Sequence, residues 1–471
     1  MKKNNNNDNY YLVWIITVIT IIILFICASV RHFLFQSNAL DLGWFDQAVY
    51  LISQGQNPIV SFSDDHILGD HAAFIFYPLA LFYIIYPSVY WLFAIQAIAL
   101  SLGSIPTYKL AKKAGLEENL CLTMVGVYLL YPLIFNLNLF DFHSEVLALP
   151  ALLWAILAAK NNNFWRFLTT VILILSCKAV LSLTIIGMGI WLLIFEKKRF
   201  YGSIALGLGV CWFLIATQVI IPQFSGDEVA AVGRYSFLGD SVGEIIKNLF
   251  LNPGIILSRV FTLANLEYLV LLFIPVFWGL SPKYLTPLVA AIPQLGLNLL
   301  TDYQPQKDLI HQYSLPIFPF LLLAVISSLA ANQGLIRRPK IIIIWSLISF
   351  LALAKYSYFG TKYLTQLDTF SAMKEVVNLI PKSGKVLTSP QIAPHLTHRP
   401  IVKLAIKDAE PINISDFDYI LVNRRHPSWP NSQETVINLV NKLEQNQDFS
   451  SIYQKDDVFL FKKVLDANLT S

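Results

Sequence analysis

"LDLGWFDQAVY", residues 40–50, places two carboxylates, Asp41 and Asp46, among Leu42, Trp44 and Phe45. It lies just beyond an apolar run, residues 11–30, that is long enough to cross a bilayer, since about 20 apolar residues cover a hydrocarbon core of ~30 Å. Ionisable groups at the edge of a membrane are expensive to hold there and are usually functional. If these acids only cap a helix, the chain is a stack of spans with ordinary loops. If they face a site, the outer loops belong to one membrane-edge cavity.

Composition settles the solvent. The 471 residues are 55% hydrophobic and 14% charged, with a mean hydropathy of +0.57. A soluble domain carries about 25% charge, so lipid solvates most of this chain. The net charge of +4 says little by its sign. The four cysteines, Cys27, Cys121, Cys177 and Cys211, each sit in an apolar run and read as small core residues. The start, "MKKNNNNDNY", is followed by no small-residue cleavage site after Val30, which favours an uncleaved signal anchor. There is no H-E-x-x-H, cysteine pair, Walker loop or G-x-G-x-x-G before a helix, so nothing points to a cytosolic nucleotide site or to a nucleic-acid partner.

The other candidate spans are 88–110, 119–139, 145–160, 165–177, 180–195, 202–221, 265–281, 284–300, 313–331 and 340–357, about eleven in all. Lys2 and Lys3, "KLAKKAG" (109–115), "KNNNFWR" (160–166), "EKKRF" (196–200), "SPK" (281–283) and "RRPK" (337–340) follow or precede alternate spans. With the N-terminus inside, all of these clusters fall on the cytoplasmic side, as the positive-inside rule requires. One run, "AAFIFYPLALFYIIYP" (72–87), would break the alternation if it crossed. It is short and bracketed by Pro78 and Pro87, and is expected to lie in the outer interface. The first outer loop then extends over 31–87. Residues 1–357 form the membrane domain, and residues 360–471 a small extracytoplasmic α/β domain. In that domain "SAMKEVVNLIP" and 432–446 are expected as helices, and "GKVLTS", "FDYILVN", "SSIYQ" and "VFLFKKV" as strands.

The outer segments hold the unusual residues. The first carries Asp41, Asp46, Asp64, Asp65, His66, Asp70 and His71; the second, "NLFDFHSEVLALP", carries Asp141, His143 and Glu145. Lys178 stands in the third, in "SCKAVLS"; Arg234 and Tyr235 in the fourth; Lys307 and His311 in the fifth. Each has a plain alternative. Asp64 and Asp65 can simply solvate a loop. Asp41 can be an N-cap, and Asp46 a structural acid. "DFHSE" fits a capping group as well, although three ionisable residues in five exceed what a cap needs. An unpaired lysine between two apolar helices is costly, so Lys178 needs an anion, either a substrate's or a structural carboxylate's. The His66/His71 and Asp65/Asp70 spacing is a weak metal signal. Asn413–Ser415 and Asn468–Thr470 match glycosylation sequons, as many chains do by chance.

"LDLGWFDQAVYLISQGQNP", "LGDHAAFIFYPLALFYIIYPS", "LYPLIFNLNLFDFHSEVLALP", "CKAVLSL", "RYSFLG" and "HQYSLPIFPFLLLA" together resemble the DUF2079 family of predicted bacterial membrane proteins. The likeness runs along most of the chain. It departs at Ala179, where such proteins tend to have an acid after the "CK" pair. More distantly, the layout is similar to the GT-C superfamily of polyprenyl-phosphate-sugar glycosyltransferases. They are polytopic, with acids and interfacial helices in a long first outer loop and often a soluble outer domain. Asp41 falls where those enzymes place their first-loop acid; the second acid of the pair is Leu42 here.

That resemblance implies an α-helical polytopic GT-C-like protein of a bacterial inner membrane, with a C-terminal extracytoplasmic domain. It implies inverting hexosyl or pentosyl transfer from a polyprenyl-phosphate donor to an acceptor. The chemistry is coherent. A phosphate leaving group needs cations, for which Lys178 and Arg234 are suitable; Tyr235 and His311 are further candidates for binding the donor phosphate. One carboxylate suffices as general base for an inverting displacement, with Asp41 first and Asp46, Asp141, His143 and Glu145 as the other catalytic candidates. Asp141, His143 and Glu145 can instead orient the acceptor or hold a divalent cation such as Mg or Mn. Trp44, Asp70, His71 and Tyr77 are expected around the substrate. A transporter of a lipid-linked or small polar substrate, and a non-catalytic envelope assembly protein, remain alternatives.

Overall fold

The structure is a computed structural model that describes residues 5–227, 229–406 and 412–464; the 468–470 sequon lies outside them. The chain forms two compact units, each built from separated segments. One comprises residues 1–27, 68–75 and 93–356, and the other residues 28–67, 76–92 and 357–471.

The fold is mostly helical, and the protein is a multi-pass membrane protein. Among the described residues four helices have the length and hydropathy to cross a bilayer: Asn9–Phe33, Tyr90–Lys113, Glu118–Leu139 and Arg199–Ser225. The pair Pro253–Val260 and Leu263–Phe273, bent by 62°, makes a fifth when taken as one span. Six further apolar helices are shorter, among them Phe164–Cys177, Leu181–Ile194, Phe318–Ala330 and Pro339–Leu353. Several segments that read as single spans are interrupted. The helix expected over 265–281 ends at Phe273, ahead of Pro275. The segment 284–300 is a 3₁₀ stretch, Thr286–Ala291, followed by the helix Ile292–Leu300, with Pro287 and Pro293 near the two starts. Proline donates no N–H and fits only the first turn, so each one sets a helix start or stop.

In the first unit, helix Leu181–Ile194 packs closely on helix Arg199–Ile215. A Cβ on Gly189 would lie 2.7 Å from the Leu206 nitrogen, and one on Gly202 2.8 Å from the Gly189 carbonyl oxygen. Only glycine permits that backbone approach, the usual device between helices in lipid. Two helices went unread in the sequence, Val242–Leu251 and Pro253–Val260. Lys247, Asn248 and Asn252 interrupt their apolar runs, and none of their residues is buried.

The second unit contains a hairpin, β1 (Ile59–Val60) with β2 (Asp65–His66), and a five-stranded sheet. The sheet strands are β3 (Val386–Thr388), β4 (Val402–Leu404), β5 (Tyr419–Asn423), β6 (Phe449–Lys455) and β7 (Val458–Lys463), in the order β4-β3-β5-β7-β6. β3 pairs in parallel with β4 and β5; β7 is antiparallel to β5 and β6. β3, β5, β6 and β7 stand where strands were expected; the three-residue β4 was too short to read. Alternation on β5 sends Leu421 to one face, against Met373 and Val376 of helix Leu367–Val377. Ile420 and Val422 go to the other, against Val436 and Val440 of helix Gln433–Glu444. Part of the first loop is built into this unit. Ser61 Oγ accepts from Val402 N at 2.9 Å and donates to Val402 O at 2.7 Å, while Gln47 Nε2 donates to the Arg399 carbonyl at 3.1 Å. Helix Phe76–Ile85 belongs here too; its 10 residues reach about 15 Å, half a bilayer core, as suits an interfacial segment.

Candidate functional site

Within the first unit the ionisable groups converge around Lys178. Helix Phe164–Cys177 ends at Cys177 and helix Leu181–Ile194 begins at Leu181, so Lys178 occupies a turn of three residues. Its Nζ donates to Glu145 Oε1 at 2.7 Å, and both side chains are largely buried. The neighbouring Ser144 Oγ donates to the Cys177 carbonyl at 2.8 Å, tying the 144–147 turn to the same place. Segment 68–75 is tied there as well. Ala179 N donates to His71 O at 2.9 Å, and Ile75 N to Ser176 O at 3.0 Å. Ala179 packs with Ala72, Ala216 and Ile221. An acid at 179 would sit among apolar side chains, which accounts for alanine there.

Electrostatics links these groups. Burial works against ionised Glu145, but the charge of Lys178, then those of His143 and His71, and the Lys178 hydrogen bond hold its carboxyl at about 2. Burial likewise disfavours charged Lys178, yet Glu145 outweighs it, helped by Tyr313 and Asp70, and its pKa is raised. Asp70, 2.9 Å from His71 Nδ1, is also held at about 2: burial is outweighed by His71 and by the positive charges of Lys178 and Arg234.

Arg234 differs from Lys178. Its Nη1 donates to Gln306 Oε1 at 3.0 Å and to the Tyr313 hydroxyl at 3.2 Å. The guanidinium lies 4.4 Å from the centre of the Tyr303 ring. These partners are neutral, and among the described residues Arg234 forms no ion pair with a carboxylate. Tyr235 is buried; its hydroxyl donates to Leu297 O at 3.2 Å and accepts from Gln306 Nε2 at 3.1 Å. It positions the Arg234 loop.

The second-loop residues are buried beside this cluster. Asp141 has a positive φ of 98° and His143 stacks on Phe140, with ring centres 5.1 Å apart. His143 N donates to Gln96 Oε1 at 3.3 Å. His311 meets the other side of the same loop, its ring 4.2 Å from that of Phe140. Its Nδ1 lies 2.7 Å from Asp308 Oδ2, so His311 is held by a carboxylate of its own loop. Tyr313, Gln306 and Gln96 were not singled out in the sequence. They are neutral; only polarity marks them, Gln306 and Tyr313 in an outer segment and Gln96 within the span Tyr90–Lys113.

The remaining candidates belong to the second unit. Asp46 is fully buried and accepts from the Tyr83 and Thr397 hydroxyls, with His398 Nε2 at 3.2 Å from Oδ2. These hydrogen bonds tie its carboxylate into the packing of this unit. Asp41 lies in a π turn, Ala39–Gly43, that leads into helix Trp44–Ser53. It is not the N-cap: Asn38 Oδ1 fills that role, accepting from Leu40 N at 3.0 Å. Trp44 is buried and donates from Nε1 to Ser63 Oγ at 3.2 Å, so its ring serves packing, whereas Tyr77 is 39% exposed. Asp64 pairs with Lys403, and His66 is buried. Among the described residues no group of three or more His, Cys, Asp or Glu side chains is arranged to hold a metal ion, and no step below is routed through one.

The sequence model of a family described as "Predicted membrane protein (DUF2079)" matches residues 31–460, and the chain belongs to that family. No curated protein matches it. Among solved structures it is similar to ArnT from Cupriavidus metallidurans bound to undecaprenyl phosphate, with 10% identity over 97% of this chain and 98% of that one and a TM-score of 0.45. ArnT in the apo state is similar at 10% identity and a TM-score of 0.43, over 94% and 98% of the two chains. At that level the likeness carries no argument, and the reading rests on the residues of this chain.

Proposed function

We propose that this DUF2079 protein is a membrane glycosyltransferase that moves a hexose or pentose from a polyprenyl-phosphate donor to an acceptor hydroxyl at the extracytoplasmic face of a bacterial inner membrane. The observation that carries the reading is Arg234. It is a cation aimed by neutral oxygens and an aromatic face, with no carboxylate of its own, in the same unit as Lys178 and close enough for both charges to act on Asp70. A phosphate diester supplies the missing anion, and a guanidinium can grip its oxygens bidentately.

The acceptor oxygen attacks the anomeric carbon as the bond from that carbon to the phosphate oxygen breaks. The electron pair leaves with the phosphate, against Arg234 and Lys178, and the acceptor proton passes to a carboxylate. A single displacement inverts the anomeric centre. Glu145 and Asp70, held at about 2, are too acidic to take that proton efficiently and act by orienting Lys178 and His71. Within this unit Asp141 is the proposed base, and His143 orients the acceptor.

The test is to incubate the purified chain with a panel of polyprenyl-phosphate hexoses and pentoses and to follow release of polyprenyl phosphate by mass spectrometry. Release from one member, lost in Arg234→Gln, is expected. No release and no donor binding across the panel, or wild-type release by Arg234→Gln, overturns the reading.

A further inference from the structure

A second charged cleft lies at the far ends of the helices that carry Glu145 and Lys178. Helix Ala148–Lys160 starts just after Glu145 and ends beside Asn161; helix Phe164–Cys177 starts just before Arg166 and ends at Lys178. Thirteen residues of helix rise about 20 Å, so the two places are a helix length apart. The cleft has a volume of about 330 Å³ and is lined by Lys109, Lys112, Lys113 and Arg166, with Asn161 and Leu157.

Its cations are held together by structure. Trp154 is flanked by two of them: Lys109 Nζ lies 4.9 Å and the Arg166 guanidinium carbon 5.3 Å from the centre of its ring. Lys109 also approaches the Tyr10 ring, at 5.4 Å. Among the described residues Lys112 has Glu118 at 3.6 Å, and no carboxylate forms an ion pair with Lys109, Lys113 or Arg166. The three cations without a carboxylate partner among the described residues, Lys109, Lys113 and Arg166, repel one another around one small space unless an anion enters. The neighbouring surface is aromatic and lipid-compatible, with Trp165 72% exposed.

We propose that this cleft is a phosphate site, filled by the headgroup of an anionic phospholipid or by phosphate free in solution. Guanidinium and ammonium groups on two helices, with the Asn161 amide at the end of a third, match a phosphate diester or monoester. The Leu157 side accommodates the glycerol and first methylenes of a lipid. The site is separate from the proposed transfer chemistry and stands or falls without it.

The experiment uses the full chain, its variant Lys113→Gln/Arg166→Gln, and a control pair outside the cleft, Lys382→Gln/Lys385→Gln. Each is placed in nanodiscs of phosphatidylcholine with or without phosphatidylglycerol, and retained lipid is counted by native mass spectrometry. Thermal melts with added inorganic phosphate, against chloride at equal ionic strength, form the second arm. Preferential retention of phosphatidylglycerol by the wild type and the control pair is expected, weakened about fivefold for each cleft cation removed. A melt raised by inorganic phosphate without lipid preference assigns the site to free phosphate. Lys113→Gln alone, on an exposed side chain, serves where the double variant does not fold, with about a fivefold loss. Lipid retention and a phosphate response equal to wild type in the cleft variants overturn the proposal.

Discussion

Lys178 Nζ and Glu145 Oε1 stand 2.7 Å apart, joining a turn between two apolar helices to the turn before a third. The pair supplies the anion that a lysine in that place requires. It also fixes Lys178 within reach of the charge on Asp70.

Removing one partner leaves a buried charge uncompensated. Lys178→Met and Glu145→Gln should each destabilise the protein by about 3–5 kcal/mol, measured by thermal melting in detergent. Replacing both, Lys178→Met with Glu145→Leu, should recover most of that loss, because two apolar groups need no counter-charge. Sugar transfer should stay lost in the double variant. Recovery of transfer along with stability would remove Lys178 from phosphate binding.

The pH dependence of this pair has a definite sign. Glu145 has a folded pKa below its ordinary value of 4.5, so its stabilisation is present above that pH and fades as pH falls towards about 2. Lys178 is raised above 10.5, so its share is present below that pH and is lost at still higher pH. The melting difference between wild type and the double apolar variant should therefore be flat across the neutral range. A difference that changes between neutral and mildly acidic pH would contradict the pairing.

His395 should behave in the opposite way. It stacks on His32, with ring centres 4.1 Å apart, and on Phe35 at 4.0 Å. Burial lowers it from 6.5 to about 4, against smaller opposing effects of the His32 backbone and Asp46. Between these values the unfolded chain binds a proton that the folded unit refuses, so stability falls as pH drops from 6.5 towards 4. His395→Phe should flatten that slope in full-chain melts. An unchanged slope would assign it to other groups.

Asn38 and Asp141 separate capping from chemistry. Asn38→Ala should cost about 1 kcal/mol, because its side chain is the cap. Asp141→Asn should lower transfer by about 10²–10⁴-fold, the usual contribution of a general base. Full transfer by Asp141→Asn would remove Asp141 from the mechanism.

The orientation can be read by labelling single cysteines in a background lacking the four native ones. Ser383→Cys and Ala114→Cys are both exposed, whereas Ser104 is buried against Thr17 and is unsuitable. An impermeant reagent outside intact cells should label Ser383→Cys and spare Ala114→Cys. The reverse pattern would invert the membrane map.

Much of this was legible in order along the chain. Apolar runs of bilayer length, the alternation of basic clusters and the change in composition after residue 357 are local properties of consecutive residues, and they indicate a multi-pass protein with a C-terminal sheet. The ionisable residues of the first unit's site were also visible one by one, because each is costly in an apolar segment. What tertiary structure decided is which partner each of them meets. Asp46 is separated by about 350 residues from Thr397 and His398, and no local pattern announces that their hydrogen bonds exhaust its carboxylate. Glu145 meets Lys178 across a helical pair, while among the described residues Arg234 forms no ion pair and hydrogen-bonds to Gln306 and Tyr313. That difference, a charge compensated in one case and left for a ligand in the other, depends on distances between segments, and residue type carries no record of them.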